Sequence, residues 1–163
     1  MLNSLKLSNF RKVVDDTMVF TPGINVLRGD NEASKTTRLE AIAYALFGSR
    51  SLRTPLEQAV TWGSPVSSLK VELAITMSGV QYLFRRSKSG AEVIHQGKVF
   101  VTGQNEVSSF AASLLGADAA TSSKLLFAGQ NNIRGALEEG TAALSTLIED
   151  LGGFDTFDTL LEA

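Results

Sequence analysis

The strongest constraint on this chain is an eight-residue loop, residues 29–36, which reads Gly-Asp-Asn-Glu-Ala-Ser-Lys-Thr. It follows an apolar run, residues 24–27, and precedes a run with helical character, residues 37–47. A strand, a tight loop ending in Lys-Thr and a helix, in that order, form the arrangement of a phosphate-binding P-loop. The loop N–H groups and the helix N-terminus would point at one place and favour an anion there. The sequence therefore predicts a nucleotide triphosphate site.

The residues of this loop have separate predicted roles. Lys35 is expected to neutralise the β- and γ-phosphates, and the Thr36 hydroxyl is expected to complete an Mg²⁺ shell. Thr37 is expected to contact the α-phosphate, unless it is only a polar residue at the helix start. The backbone that would cradle the phosphates belongs to Asn31, Glu32, Ala33 and Ser34.

The loop departs from the usual pattern at Ser34, which stands where a glycine normally precedes the lysine. Glycine tolerates unusual φ values and lets the backbone approach a phosphate closely, whereas serine adds a Cβ. The loop is therefore expected to be tighter or weaker, although the serine hydroxyl could donate to a phosphate. On the loop alone, a chance match in an ordinary strand-to-helix turn stays open as the alternative.

Four blocks of sequence carry a family resemblance: LKLSNFR at 5–11, FTPGINVL at 20–27, LEAIAYALFG at 39–48 and LLFAGQ at 125–130. In this order they resemble the opening strand, the P-loop lead-in, the P-loop helix and the Q-loop of the SMC, RecF and SbcC group of ABC-type ATPases. The ending of the third block favours the SbcC branch over RecF. The resemblance is clear over residues 5–48 and weaker but continuous beyond them.

The resemblance implies the fold and the domain organisation. It implies an α/β fold, the N-terminal lobe of a P-loop ABC-type ATPase, with a mixed sheet around the P-loop helix and an antiparallel β-meander. Residues 1–151 are expected to form this lobe, and residues 152–163 to begin a helix that leads toward a coiled coil. The apolar end of the sequence suggests the N-terminal part of a longer protein.

The resemblance also assigns roles to residues outside the loop. Gln130 would act with the catalytic machinery, coupling the metal ion and the attacking water to movement between lobes; the alternative is a loop glutamine that bonds to backbone. Arg11 and Lys12 would flank the base or the phosphates, with a solvated strand end as an equally weighted alternative.

ATP and Mg²⁺ are the implied cofactors, and several partners follow from the same resemblance. They are the C-terminal ATPase lobe, a second copy in a head-to-head dimer, an SbcD-like nuclease and double-stranded DNA, which hydrolysis would clamp and release. The chain has no serine-glycine-glycine signature loop and no apolar strand ending in Asp-Glu. It would therefore hydrolyse ATP negligibly alone. The rival hypothesis is an SMC-like or degenerate protein that pairs subunits without useful turnover; an unrelated P-loop kinase is disfavoured by residues 9–11 and Gln130.

Composition agrees with this hypothesis but does not establish it. The formal net charge of −2 gives no basic signature for nucleic-acid binding. The absence of cysteine excludes disulfides and thiolate metal sites and fits a reducing cytoplasm. No apolar run approaches the roughly 20 residues that a membrane-spanning helix needs, so no membrane partner is expected.

Periodicity predicts the elements along the chain. Strands are expected around residues 5–8, 17–20 and 24–27, and a helix from 37 to 47 that ends at Gly48. Residues 49–65 read as a loop with one helical turn near 56–60. Alternation predicts a hairpin at 69–84 with a Ser78-Gly79 turn, then strands at 91–95 and 99–101. A helix at 106–115, a buried run at 124–127 and helical stripes at 144–151 and 154–161 follow.

A few remaining residues invite chemistry but have ordinary alternatives. Trp62 could stack on a base, although a packing role is the preferred interpretation. His95, the single histidine, is assigned to a surface or hairpin role. Four arginines could contact DNA phosphates, with a solvated charged face as the commoner explanation; they are Arg50, Arg53, Arg85 and Arg86.

Overall fold

The computed structural model describes residues 1–30, 34–116 and 122. Contacts divide the chain into two compact units, residues 1–119 and residues 120–163. All helices and strands given below belong to the first unit. The predicted apolar run at 124–127 and the helical stripes at 144–151 and 154–161 lie outside the described residues.

Six strands form one sheet in the order β2-β1-β3-β4-β5-β6. Every neighbouring pair is antiparallel. Between β2 and β3 the chain leaves the sheet to form the nucleotide loop and its helix, and it then returns beside β1. The α/β class is confirmed, and the strands of the described part show the antiparallel portion of the expected sheet. The strands are β1 (Leu2–Phe10), β2 (Val13–Val19), β3 (Lys70–Met77), β4 (Val80–Ser87), β5 (Ala91–His95) and β6 (Lys98–Thr102).

Two tight turns fix the register of the meander. Ser78 and Gly79, between β3 and β4, have φ values of 49° and 78°. Gln96 and Gly97, between β5 and β6, have φ values of 49° and 74°. Two successive positive φ values match the right-handed twist of the flanking strands, which is why hairpins favour such turns. The hairpin predicted from the alternation and the Ser-Gly pair is confirmed.

Helix α1 (Lys35–Phe47) occupies the inner face of the sheet, together with α2 (Gln104–Leu115). α1 contacts β1, β3, β4 and α2, whereas α2 also contacts β5 and β6. All residues from 41 to 47 are buried, because the sheet covers one side of α1 and α2 covers another. Alternate strand residues form the other side of the core, and the most deeply buried of them are Leu5, Leu7, Val71, Leu73, Phe84 and Val93.

The outer face of the sheet carries a row of alternating charges. Lys6, Glu72, Arg85 and Glu92 are direct cross-strand neighbours on β1, β3, β4 and β5. Arg85 Nε lies 2.6 Å from Glu72 Oε1, and Arg85 Nη1 lies 2.5 Å from Glu92 Oε1. Opposite charges on facing positions stabilise a sheet modestly, so this face is built as a solvated surface.

The strand predicted at residues 24–27 is wrong for the described structure, which assigns no strand there. The side chains of Ile24 and Val26 are 92% and 82% exposed. A strand is defined by hydrogen bonds to a neighbour, and no described strand lies beside this segment. The apolar run therefore has the composition of a buried strand without a partner in the described part of the chain.

The segment between α1 and β3 contains three short 3₁₀ turns. They are Gly48–Ser51, Leu56–Gln58 and Val66–Ser68. The second confirms the single helical turn predicted near residues 56–60. An isolated bridge between Phe10 and Val60 ties this segment to the end of β1.

Candidate nucleotide site

The candidate site is the N-terminus of α1. The preceding residue, Ser34, has φ 58° and ψ 27°, a left-handed conformation that side chains with a Cβ adopt at a cost of about 1 kcal/mol or more. Its side chain makes no capping hydrogen bond, and the first turn of α1 contains no acidic residue. The first N–H groups of a helix have no partner within the helix. Within the described residues this helix end therefore has no side-chain cap, and it is an electropositive position.

The Lys35 side chain closes the loop that leads into the helix. Its Nζ donates to the carbonyl oxygens of Gly29 at 2.6 Å and Asp30 at 2.7 Å. The ammonium group is therefore held at the start of the loop. The backbone of the same residue, at the end of the loop, begins helix α1. The phosphate role that the sequence assigned to this side chain stays a prediction, because in this structure its ammonium group bonds to the loop carbonyl oxygens.

The described structure includes only some of the other residues with predicted roles. Thr36 is exposed on the first turn of α1, and Thr37 is half-buried beside it. Asn31, Glu32, Ala33 and Gln130 lie outside the described residues, so their phosphate, catalytic and metal roles stay predictions. The described part of the site comprises both ends of the loop and the first turn of the helix.

Arg38 braces this helix end, a role that the sequence interpretation missed. Its Nε and Nη2 donate to Asp16 Oδ2 at 3.1 and 2.7 Å, and its Nη1 donates to the Ser34 carbonyl oxygen at 3.0 Å. The arginine therefore links β2 to the residue with left-handed backbone. The spacing of four residues between Ser34 and Arg38 was the available signal, whereas the partner on β2 depends on tertiary structure.

Arg11 connects three elements. Its guanidinium donates to Glu40 Oε2 at 3.0 Å and Oε1 at 2.6 Å, and also to the Gln58 carbonyl oxygen at 3.1 Å. A two-pronged bond of this kind fixes both side chains. Arg11 therefore holds the β1–β2 turn against α1 and the 3₁₀ turn at Leu56–Gln58. Lys12, next to it, is exposed.

A model of the AAA domain family matches residues 4–162. This chain belongs to the AAA domain family. The predicted resemblance to the N-terminal lobe of SbcC-like, ABC-type DNA repair ATPases is confirmed by the family and by the relatives of this AAA domain.

Two curated relatives are DNA double-strand break repair Rad50 ATPases. That of Archaeoglobus fulgidus is 33% identical over 107 residues, which is 66% of this chain and 12% of the relative. That of Methanococcus maripaludis is 24% identical over 166 residues, covering 99% of this chain and 16% of the relative. The AAA domain described here thus spans less than a fifth of the length of either relative.

A solved structure shares the fold of this AAA domain. It is that of the recombination mediator protein RecF-ATPrS in the RecFOR pathway, with a TM-score of 0.50 and 19% sequence identity. The match covers 66% of this chain and 29% of the solved chain. At this identity the likeness supports the fold alone.

At the C-terminal end of α1, both interpretations of Arg86 are wrong: it is neither a DNA contact nor part of a solvated charged face. This side chain is fully buried and donates to the Ala45 and Leu46 carbonyl oxygens, both at 2.8 Å. Its remaining bonds go to Gln104 O, Gln104 Oε1 and Ser108 Oγ. Burial lowers the pKa of Arg86 to about 10, so it remains charged at neutral pH. Since the five bonds match the five donors of a guanidinium, Arg86 is a structural element of the AAA domain.

Arg85 also departs from the DNA interpretation, because it bonds to Glu72 and Glu92 on the outer sheet face. Burial acts to raise the pKa of Glu72, but the hydrogen bonds and charges of Arg85 and Lys70 outweigh it and lower that pKa. Arg50 and Arg53 are exposed and keep the DNA interpretation as a prediction.

Trp62 does not pack in the core, so its preferred interpretation is wrong. Its side chain is 100% exposed. His95 lies at the end of β5, where Nδ1 is 3.0 Å from the Gln81 carbonyl oxygen, and it contacts the rings of Tyr82 and Phe100. Within the described residues no helix is long and apolar enough to cross a membrane.

Proposed function

We propose that this chain is the ATP-binding N-terminal lobe of an SbcC-like ATPase that acts in DNA repair or recombination. The observation that carries the proposal is the N-terminus of α1, where Ser34 provides no side-chain cap and the first turn has no acidic residue, and whose first residue, Lys35, places its ammonium group on the Gly29 carbonyl oxygen at the start of the loop. A positive helix end with a neighbouring cation suits a polyphosphate. Family membership over residues 4–162 supports the same conclusion.

The exposed hydroxyl of Thr36, on the first turn of α1, fits a ligand of a magnesium nucleotide. In the described part of the chain, no group of three or more His, Asp or Glu side chains could hold a metal ion by itself. Mg²⁺ commonly uses one or two protein ligands and takes the rest from phosphates and water. Thr36 and Gln130 would be those protein ligands. A bound ion would neutralise charge on the phosphate oxygens, and Lys35 would hold the same phosphates from the protein side.

The exposed segment at residues 24–27 supports the C-terminal ATPase lobe as a partner. Its apolar side chains lie in solvent, and an adjoining cavity of about 600 Å³ is lined by Met18, Phe20, Leu27, Leu39 and Ile42. A segment with exposed apolar side chains and no strand beside it in the described part of the chain could be covered by an added strand. A strand of the C-terminal lobe would cover both the backbone and these side chains.

The remaining partners follow from the family. Two complete heads would sandwich two ATP molecules, and hydrolysis would open and close the dimer on double-stranded DNA, with an SbcD-like nuclease as a separate subunit. Residues 1–151 would form this lobe, and residues 152–163, which lie outside the described part, would lead toward a coiled coil. A protein with this task would act in the cytoplasm, at the nucleoid or in a host cell.

Replacement of Lys35 tests the site. In the protein assembled with its C-terminal lobe, Lys35→Ala should lower ATP turnover by about 100-fold or more, because it removes the cation that meets the phosphates. Lys98→Ala, at an exposed position of β6, is the matched control and should leave turnover unchanged. Wild-type turnover in the Lys35 variant would refute the site assignment.

The second candidate is a nucleotide-binding protein that pairs subunits without useful turnover, and the left-handed backbone of Ser34 favours it. Ser34→Gly removes the Cβ at that position and relaxes the loop. A gain in turnover of about tenfold or more would show that the natural loop is impaired. A change of less than about twofold would support the ATPase.

A further inference from the structure

The turn at residues 59–64 is fixed rigidly to the β1–β2 hairpin. The Arg11 N–H donates to the Ala59 carbonyl oxygen at 2.7 Å, and the Thr61 N–H donates to the Asn9 carbonyl oxygen at 3.1 Å. The Thr61 hydroxyl donates to the Val13 carbonyl oxygen at 3.1 Å. The turn therefore has a defined position, although it lies on the surface.

Trp62 projects from this fixed turn entirely into solvent. A tryptophan side chain presents 150–250 Å² of largely apolar surface, and leaving all of it in water forfeits the free energy of its burial. The backbone of the turn is ordered without any contribution from the indole. An exposed ring on an ordered backbone can stack on another planar group with little further loss of conformational freedom.

A cavity of about 470 Å³ lies beside the indole, within the range of small-molecule sites. Its polar lining includes Arg11, Lys12, Glu57 and Gln58, whose amide and charged groups offer both donors and acceptors. An aromatic face with donors and acceptors at its edge suits a flat heterocycle such as a nucleobase.

Arg11 connects this cavity to the nucleotide loop. It lines the cavity and also bonds to Glu40 on α1. Glu40 lies five residues after Lys35, which is about 7.5 Å along the axis at 1.5 Å per residue. The residues around the cavity are therefore linked through one ion pair to the same helix whose N-terminus would hold the phosphates.

We propose that Trp62 stacks on the base of the nucleotide whose phosphates the loop holds, with Lys12, Glu57 and Gln58 around the base edge. The inference rests on the proposed function, because it needs a nucleotide at Lys35. A single-stranded nucleic acid would need a run of cations along its backbone. The cavity offers Lys12 and an Arg11 that is paired with Glu40, beside the acidic Glu57, so a single base is the better fit.

The test compares ligands with and without a base. Binding of Mg–ATP and of Mg–tripolyphosphate is measured for the full chain and for Trp62→Ala, Trp62→Phe and Val14→Ala. Loss of one base–aromatic stack should weaken ATP binding by about 5- to 100-fold and leave tripolyphosphate unaffected. Trp62→Phe keeps a ring and should retain most of the affinity. Val14, exposed on β2, is the control and should have no effect.

Fluorescence gives a second measurement, because Trp62 is the only tryptophan of the 163 residues. ATP should change its emission and tripolyphosphate should not. Unchanged ATP affinity in Trp62→Ala, or an equal loss for both ligands, overturns the inference while the phosphate site stands. Binding of a single-stranded DNA oligonucleotide is measured in parallel. If Trp62→Ala weakens binding of that DNA and not of ATP, the inference is also overturned. If the wild-type chain binds neither ligand, the proposed function fails and the base contact fails with it.

Discussion

The two ends of α1 are finished in opposite ways. At the C-terminal end, Arg86 donates to the Ala45 and Leu46 carbonyl oxygens, and Gly48 ends the helix with its N–H bonded to the Tyr44 carbonyl oxygen. At the N-terminal end, Ser34 supplies no side-chain cap. Both ends carry backbone groups without partners inside the helix, but among the described residues only the C-terminal end is completed by buried protein groups.

The comparison distinguishes a helix end whose backbone groups are bonded by the protein itself from one whose backbone groups are available to a ligand. A buried helix end must be satisfied by the protein, because unpaired carbonyl groups there cost about 1–3 kcal/mol each. An exposed end can remain incomplete until a ligand supplies the missing partner. The cations show the same division, since Arg86 is enclosed among neutral acceptors whereas Lys35 contacts loop carbonyls at the surface.

The largest effect on stability is expected when the C-terminal end of α1 loses the hydrogen bonds of Arg86. Arg86→Met should lower the free energy of unfolding by about 3–5 kcal/mol, because buried carbonyl and side-chain acceptors lose their donor. Arg85→Met, one residue earlier on the outer face, should lower it by about 1 kcal/mol or less, since its ion pairs are half-exposed. Urea unfolding of both variants measures the difference. Equal losses would contradict the assignment of Arg86 as the cap of α1.

A smaller effect is expected at Gly48, where φ is +72° and an added Cβ would lie 2.8 Å from Arg86 Nη1. Gly48→Ala should destabilise by about 2–3 kcal/mol, through both backbone strain and displacement of the guanidinium. At Gly79, φ is +78° and nothing lies within 4 Å of an added Cβ, so Gly79→Ala should show strain alone, about 1 kcal/mol. Thermal unfolding that ranks the two alike would remove the close approach as a cause.

The smallest effect on stability is expected at the N-terminal end of α1. Asp16→Asn weakens the bond to Arg38 and should lower stability by about 0.5 kcal/mol, because the pair is partly exposed. It should weaken ATP binding several-fold, since Arg38 also holds the Ser34 carbonyl oxygen. Asp15→Asn, with an exposed side chain that accepts from the Ser8 hydroxyl, is the control. Calorimetric titration that finds equal ATP affinity in both variants would argue against the brace.

Local patterns predicted the elements whose stabilisation is local. The β3–β4 hairpin follows from alternation and a Ser-Gly turn, and α1 ends at Gly48 as the sequence indicates. The segment at 24–27 could not be predicted correctly from pattern alone, because its strand character depends on a partner that the described residues do not contain. The composition of this segment is that of a buried strand, whereas the described structure assigns no strand there.

For the site, the motif located Lys35, Thr36 and the left-handed position of Ser34, where glycine would be expected. The motif could not predict the structural roles of Arg38 and Arg11, because these side chains bond to acidic partners 22 and 29 residues away. Arg86 left a readable signal, since the period of β4 places it on the same face as Tyr82 and Phe84. A charge at an inward position should have been interpreted as buried.

The cap on α1 also bears on the order in which the chain acquires its structure. Arg86 lies 41 residues after Ala45 and 40 after Leu46. During synthesis, the helix that carries the nucleotide loop is therefore made well before the residue that completes it. The contact between the end of that helix and β4 has a long sequence separation, and contacts of this kind slow folding. The helix that follows the loop gains the last hydrogen bonds of its C-terminal end from a strand that is synthesised about 40 residues later.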